Sequence, residues 1–205
     1  MRRFVTDLLT TVILVFGLVT ASFAASPVTL LDSLSSQVIQ QLSANQARLK
    51  TNPNLAYSIV DRIVRPHIDI YGMARSALGR QGKSTWKAAS VAQRKNFANA
   101  FTKLVLTTYS SALAEYTNER VKFQPVRGGV DGKRFVKVHS EVIRTGAPNI
   151  PMDYRLRLVK GDWKIYDVSV EGVSLLRSYR QQFQQELQTK NLVQITATLR
   201  KKAQH

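Results

Sequence analysis

Near residue 120 the apolar residues of this chain change from helical spacing to strand spacing, and after Val170 they change back. No other feature constrains the fold as tightly. A helix brings a side chain to one face about every 3.6 residues and a strand every second residue, so one segment cannot satisfy both periods. Before the switch, Leu31, Leu34, Val38, Leu42 and Leu49 predict an amphipathic helix over 29–50, broken by Thr51-Asn52-Pro53-Asn54. Tyr57 to Val64 predicts a second helix stopped by Pro66, and Asp69 to Leu78 a third ended by Gly79. Ser90-Val91-Ala92-Gln93 has the form of a capping box. It opens the longest helix, 91–117, striped by Phe97, Phe101, Leu104, Val105, Thr108, Tyr109, Ala112, Leu113 and Tyr116.

The middle of the chain alternates. Val121 and Phe123 form one such run, Val136 and Val138 a second, and Met152, Tyr154, Leu156 and Leu158 a third. Trp163 to Val170 is the fourth, with Trp163 and Ile165 on one face. Gly128-Gly129, Gly146-Ala147-Pro148-Asn149 and Lys160-Gly161-Asp162 between them carry turn chemistry. Two helices follow, striped by Leu176, Tyr179, Phe183 and Leu187, then by Leu192, Ile195 and Leu199. Lys190-Asn191 between them reads as a helix end, because asparagine tolerates the left-handed conformation. Helices, then strands, then helices predict an α+β fold with helices on one face of an antiparallel meander.

The first residues have the layout of an export signal: Arg2 and Arg3, a twelve-residue apolar run from Leu8 to Val19, then Ser22-Phe23-Ala24. A membrane-spanning helix needs about 20 apolar residues. Residues 1–24 are therefore expected to be a cleaved leader, leaving 25–205 as one domain. The full chain carries 30 Lys+Arg against 13 Asp+Glu, a net charge of +17, and no cysteine. Disulfides, thiolate nucleophiles and cysteine-held metals are excluded. The excess charge suggests an anionic surface or nucleic acid. Export and the absence of any basic block argue against nucleic acid as partner.

Catalytic constellations are hard to assemble. The three histidines, His67, His139 and His205, fall at no metal-ligand spacing, so no metal and no cofactor is expected. Gly172-Val173-Ser174 follows a strand and opens a helix as a nucleophile elbow would, but Leu176 stands where the second glycine belongs. A serine N-cap is the favoured reading of Ser174, with an esterase or lipase-like nucleophile as the alternative. Gly82-Lys83-Ser84 copies the end of a phosphate-binding loop, yet Ala77 replaces the required glycine. Apolar stripes of this kind are ordinarily core, and periodicity does not separate a filled core from a cavity.

The run Gly72-Met73-Ala74-Arg75-Ser76-Ala77-Leu78-Gly79, then Trp86-Lys87-Ala88-Ala89-Ser90 and Gln93-Arg94-Lys95-Asn96-Phe97, resembles the MlaC family. So does the tail Trp163 to Leu175, with Tyr179-Arg180 and Phe183 after it. Gln81 to Thr85 lengthens the link before Trp86, and Asn191 stands where relatives often carry glycine. The resemblance implies a twisted antiparallel sheet of the NTF2-like type, with a lipid pocket between sheet and helices. It implies a non-enzymatic, monomeric periplasmic phospholipid carrier, working between an outer-membrane lipoprotein–porin complex and an inner-membrane MCE-domain ABC transporter. That traffic would maintain outer-membrane lipid asymmetry.

On that reading the acyl tails are lined by Met73, Leu78, Phe97, Phe101, Leu104, Val105, Tyr109, Val136, Val138, Met152, Tyr154, Leu156, Ile165, Val173 and Leu176. Phe101 and Leu104 would face Val136 and Val138 from the opposite wall. Arg75, Arg80 and Lys83 would meet the head group at the mouth. The energetics make a carrier necessary: at about 0.8 kcal/mol per methylene, a sixteen-carbon tail resists water by on the order of 10 kcal/mol. The expected leader gives a direct prediction. N-terminal sequencing of protein released from the periplasm should read from about Ala25, and recovery of membrane-bound chain with residues 1–24 intact would overturn it.

Overall fold

The computed structural model describes residues 26–52, 54–113 and 119–204. The expected leader lies outside this range, as do Tyr116 and His205. The elements run α1 (Pro27–Ala44), α2 (Gln46–Thr51), α3 (Asn54–Ile63), a 3-10 turn (Arg65–His67), α4 (Ile70–Leu78), α5 (Gly82–Ala88) and α6 (Val91–Leu113). Then come β1 (Arg120–Phe123), β2 (Phe135–Ile143), β3 (Ile150–Val159), β4 (Asp162–Val170), β5 (Val173–Ser174), α7 (Leu175–Glu186) and α8 (Leu192–Lys202). The strands form one antiparallel sheet in sequence order. The class is the α+β one that the change of period predicts.

Local chemistry sets the helix ends. Ser26 caps α1 by accepting from Thr29 N–H at 3.1 Å, and Pro27 follows at the first helical position. Ser90 and Gln93 form both halves of the expected capping box, at 3.1 and 2.8 Å. The single helix expected over 29–50 is instead two. Asn45 breaks it: its backbone N–H bonds Leu42 C=O and its side chain bonds Gln41 C=O, so local hydrogen bonds replace the regular ladder. The link expected before Trp86 is helical, as α5. Gly82 allows this, because a Cβ there would press on the Leu78 side chain. Asn191 is no helix end in the left-handed region. Its φ is −86° and it starts α8 in a capping box with Gln194, since an asparagine oxygen is as good an N-cap as a serine. The two-residue strand β5 was not foreseen, being too short to show a period.

The sheet has two unlike faces. In register, Val136 opposes Leu156, Val138 opposes Tyr154 and Ser140 opposes Met152. On β4, Val168 opposes Tyr154 and Ile165 opposes Leu156, with a bulge between them. These side chains share the face that α1 covers with Leu31 and Leu34. The opposite face carries Lys137, His139, Asp153, Arg155, Arg157 and Asp167. Here α4 and α7 abut β4, so helices meet both faces of the sheet, not one.

The core is divided accordingly. One cluster is built from the helices and their ends: Phe97, Phe101, Phe183, Leu78, Ile195 and Leu199 lie at its centre. Phe183 meets Phe97 and Phe101 edge-on with ring centroids 5.5 and 5.4 Å apart, and Tyr179 meets Phe101 at 5.0 Å. A second cluster lies between the sheet and α1, and a third joins Leu42, Leu49, Ala56 and Ile59 of α1, α2 and α3.

Two buried aspartates join the helical cluster to the sheet. Asp69 caps α4 through Gly72 N–H at 3.0 Å, and its other oxygen lies against Arg157 of β3. Glycine is needed at 72 because a Cβ there would overlap the Asp69 carboxylate. Alanine is the better helix former by about 1 kcal/mol. Gly72→Ala is nevertheless expected to destabilise the fold by about 1–3 kcal/mol, because a buried charge loses its partners. Thermal or urea melts of the two proteins check the sign.

Candidate functional site

The apolar residues expected to surround one cavity fall into the two separate clusters. Val136, Val138, Leu156 and Ile165 are buried on the sheet face under α1, and Tyr154 joins them half-buried. Met152 lies on the same face, half-buried. Met73, Leu78, Phe97, Phe101, Leu104, Val105 and Leu176 belong to the helical cluster instead. Phe101 and Leu104 therefore do not face Val136 and Val138. The long helix turns its stripe toward α4, α7 and α8, and α1 supplies the wall opposite the sheet. Phe97 and Phe101 have no exposed surface and stack at a centroid distance of 6.2 Å, which is the packing of a filled core. Val173 is 62% exposed at the end of β5, and Tyr109 is exposed on α6. Neither lines the sheet face.

Around the sheet face lies a ring of half-buried apolar residues: Val28, Leu30, Ile63, Val64, Phe123, Val126, Val130, Leu158 and Val168. Trp163 is buried beside them. Of these, Phe123, Leu158 and Trp163 were legible from the alternation of their strands, whereas Val168 reaches this face only through the bulge. The contribution of α1 and α3 was not, because a helix stripe does not name the surface it meets.

Tyr154 has a distinctive setting. Its side chain keeps some accessible surface, yet its surroundings are dense enough that burial pushes its pKa up to about 12. Among the described residues its hydroxyl meets the Met152 sulfur, at 4.0 Å, a weak acceptor. The ring packs on Phe123 at 5.8 Å. The sheet face thus offers aliphatic and aromatic surface with very little hydrogen-bonding capacity, which suits hydrocarbon.

The three cations expected at a mouth lie along one stretch of chain, from α4 into α5. Arg75 borders a cleft with Tyr71, Trp86 and Arg157, Arg80 follows the end of α4, and Lys83 is at the start of α5. All three are exposed, on or between two helices that pack in the other cluster.

Ser174 is a buried cap. Its hydroxyl donates to Asp167 Oδ2 at 2.7 Å and accepts from Arg177 N–H at 3.1 Å. The other Asp167 oxygen accepts from Leu176 N–H at 3.1 Å, and Arg155 reaches the carboxylate at 3.6 Å. The serine is tied to helix α7 on one side and to a carboxylate on the other. Of the two histidines in the described residues, His139 pairs with Asp153 at 2.5 Å. His67 sits beside Lys164, and its pKa is lowered first by burial and then by that cation.

The model of the family described as MlaC protein matches residues 32–201. The chain belongs to the MlaC family. Among its relatives, Toluene tolerance protein ttg2D of Pseudomonas putida is 28% identical over 173 residues, covering 84% of this chain and 78% of that protein. The Intermembrane phospholipid transport system binding protein MlaC of Haemophilus influenzae is 29% identical over 160 residues, covering 77% and 72%. In fold, the chain is similar to the phospholipid-binding protein from Ralstonia solanacearum, solved in complex with a phospholipid. The TM-score is 0.75 at 24% identity, over 86% of this chain and 96% of that one. The likeness supports the α+β arrangement read above.

In this MlaC-family chain the Trp163-to-Leu175 run that carries the resemblance is β4, the turn, β5 and the start of α7. It includes both partners of the Asp167–Ser174 bond. Ser174→Ala should therefore lower stability by about 2–3 kcal/mol, more than a surface cap costs, because a buried carboxylate also loses a donor. Any lipid carried by the folded variant should match the parent. Chemical denaturation with lipid extraction from the same samples checks both, and full stability with altered lipid turnover would instead favour a nucleophilic serine.

Proposed function

We propose that this chain is a soluble periplasmic carrier of phospholipid, not an enzyme, holding acyl tails between the sheet and α1 and leaving the head group in water. Family membership supports the reading. The observation that carries it is the sheet face under α1, where buried Val136, Val138, Leu156 and Ile165 are surrounded by half-buried Tyr154, Phe123, Val126, Leu158 and Val168. An apolar ligand is stabilised by about 25 cal/mol per Å² of surface removed from water, and needs no covalent chemistry.

The leader at 1–24 would deliver the chain to the periplasm. Cleavage there would leave Ser26, the cap of α1, on the mature chain. Exchange with an outer-membrane lipoprotein–porin complex and an inner-membrane MCE-domain ABC transporter is the route the family resemblance implies for the cargo. Such traffic would maintain outer-membrane lipid asymmetry. The names of the Haemophilus relative and the Ralstonia structural neighbour, a phospholipid transport binding protein and a phospholipid-binding protein, agree with this reading.

Two substitutions on the sheet face separate cavity from core. Val168 is half-buried opposite Tyr154, whereas Val138, on the other side of Tyr154, has no exposed surface. Val168→Phe should fill space meant for a tail. The delipidated protein should melt near the parent, while lipid recovered by extraction and mass spectrometry should fall or shift to shorter chains. Val138→Phe should overpack the wall and cost about 1–3 kcal/mol whether or not lipid is present. The parent should lose melting temperature on delipidation, since a ligand that binds only the folded state stabilises it. Parent protein that yields no lipid, and melts the same after extraction, would exclude the carrier reading.

A further inference from the structure

A second site lies on the far side of the molecule from the proposed tail face. Tyr71, Gly72 and Arg75 of α4, Trp86 of α5, Val91 and Arg94 of α6 and Arg157 of β3 enclose a cleft of about 340 Å³. Two of its guanidinium groups are incompletely used. Arg94 donates from Nη2 to Lys87 C=O at 2.9 Å, but its Nε is buried with no hydrogen-bond partner. Arg157 Nε is likewise buried and unpartnered. Asp69 Oδ2 lies against Arg157 Nη2 but out of line for a hydrogen bond. Both arginines line the cleft and neither has its donors fully used by the protein, so the cleft presents positive charge and spare donor capacity to an anionic group.

The rim has a different character. Val91 is 75% exposed, Tyr71 47%, and Phe135, the strand neighbour of Arg157, 57%. These are half of the six large hydrophobic residues that stand exposed among the described residues. Trp86 is half-buried between them, with the Arg94 guanidinium 6.0 Å from its ring centre. Arginine, tryptophan and tyrosine together in a concavity are the composition of a protein-binding hot spot. A free anion would answer the guanidiniums and leave the apolar rim unexplained. A membrane surface is flat and does not enter a cleft.

We propose that this cleft docks a segment of a partner protein that presents a carboxylate beside an apolar side chain. The Asp or Glu oxygen accepts from Arg94 and Arg157, with Arg75 adding charge, and the apolar neighbour packs on Trp86, Tyr71 and Val91. The assignment does not depend on what the sheet face binds.

The test uses the full chain in its own cells with a photo-crosslinking benzoylphenylalanine at Tyr71, and as a control at Val193, which is exposed on α8. Irradiation should give a protein adduct from position 71 and not from 193. Mass spectrometry should place the attachment next to an Asp or Glu of the partner. Arg94→Glu and Val91→Asp should each reduce the adduct about tenfold by setting like charge against the carboxylate, while Arg94→Lys keeps most of it. Lipid content and circular dichroism of the Arg94→Glu protein should equal the parent's, which separates a lost partner from a lost carrier. If Arg94→Glu fails to fold, Val91→Asp, on a surface position, decides alone. Adducts to lipid only, an adduct indifferent to the folded charge variants, or no protein adduct would each overturn the proposal.

Discussion

Two buried carboxylates on one side of the sheet hold the two parts of the molecule together. Asp69 enters from the chain before α4 and Asp167 from β4, and each faces an arginine of β3, Arg157 and Arg155 respectively. Each also binds the first turn of a helix, through Gly72 N–H of α4 or Leu176 N–H and the Ser174 cap of α7. The backbone adds to this at one point, where Asp69 N–H bonds Ile165 C=O at 2.8 Å. A buried carboxylate that keeps several donors is tolerated, and one that loses a donor is costly. The helical half therefore cannot slide on the sheet without leaving a charge unpaired.

That anchoring has a consequence for the other face. Because α4 and α7 are fixed through the polar side of β3 and β4, the opposite side is not needed to hold them. It carries Val136, Val138, Leu156 and Tyr154 under α1, surrounded by residues that are only half-buried. Arg180 reinforces the separation by donating from Nη2 to Ser76 C=O at 3.1 Å, tying α7 to the end of α4 within the helical half.

The sequence makes the class of the fold and the position of each long element legible, because amphipathic stripes and alternation are local signals. The Ser90–Gln93 box and the Ser174 cap were readable for the same reason: a cap is chemistry between residues three apart. The break at Asn45 and the helix at Gly82–Ala88 were not, since a short polar helix has no stripe long enough to show its period. The candidate site was legible only in part. Val136, Val138, Leu156 and Ile165 share a face by strand alternation alone. Periodicity does not report which surface a stripe meets, so Phe97 and Phe101 were assigned to the same space as the strands. Their partner is Phe183, more than 80 residues away in sequence, and only tertiary structure places it there.

A protein that releases an apolar ligand must remain folded with the ligand gone, and this sets a physical requirement on where its stability resides. If the sheet face takes the tails as proposed, its half-buried residues gain their full burial only with cargo in place. The stability of the empty state must then come from elsewhere. The helical cluster can supply it: Phe97, Phe101 and Phe183 are fully buried against one another, and each buried side chain of this size contributes about 1.5–3 kcal/mol. Dividing the apolar residues into a filled cluster and a loosely covered face lets one part remain rigid while the other exchanges its contents. A single continuous core would couple the two, and every departure of cargo would then weaken the fold as a whole.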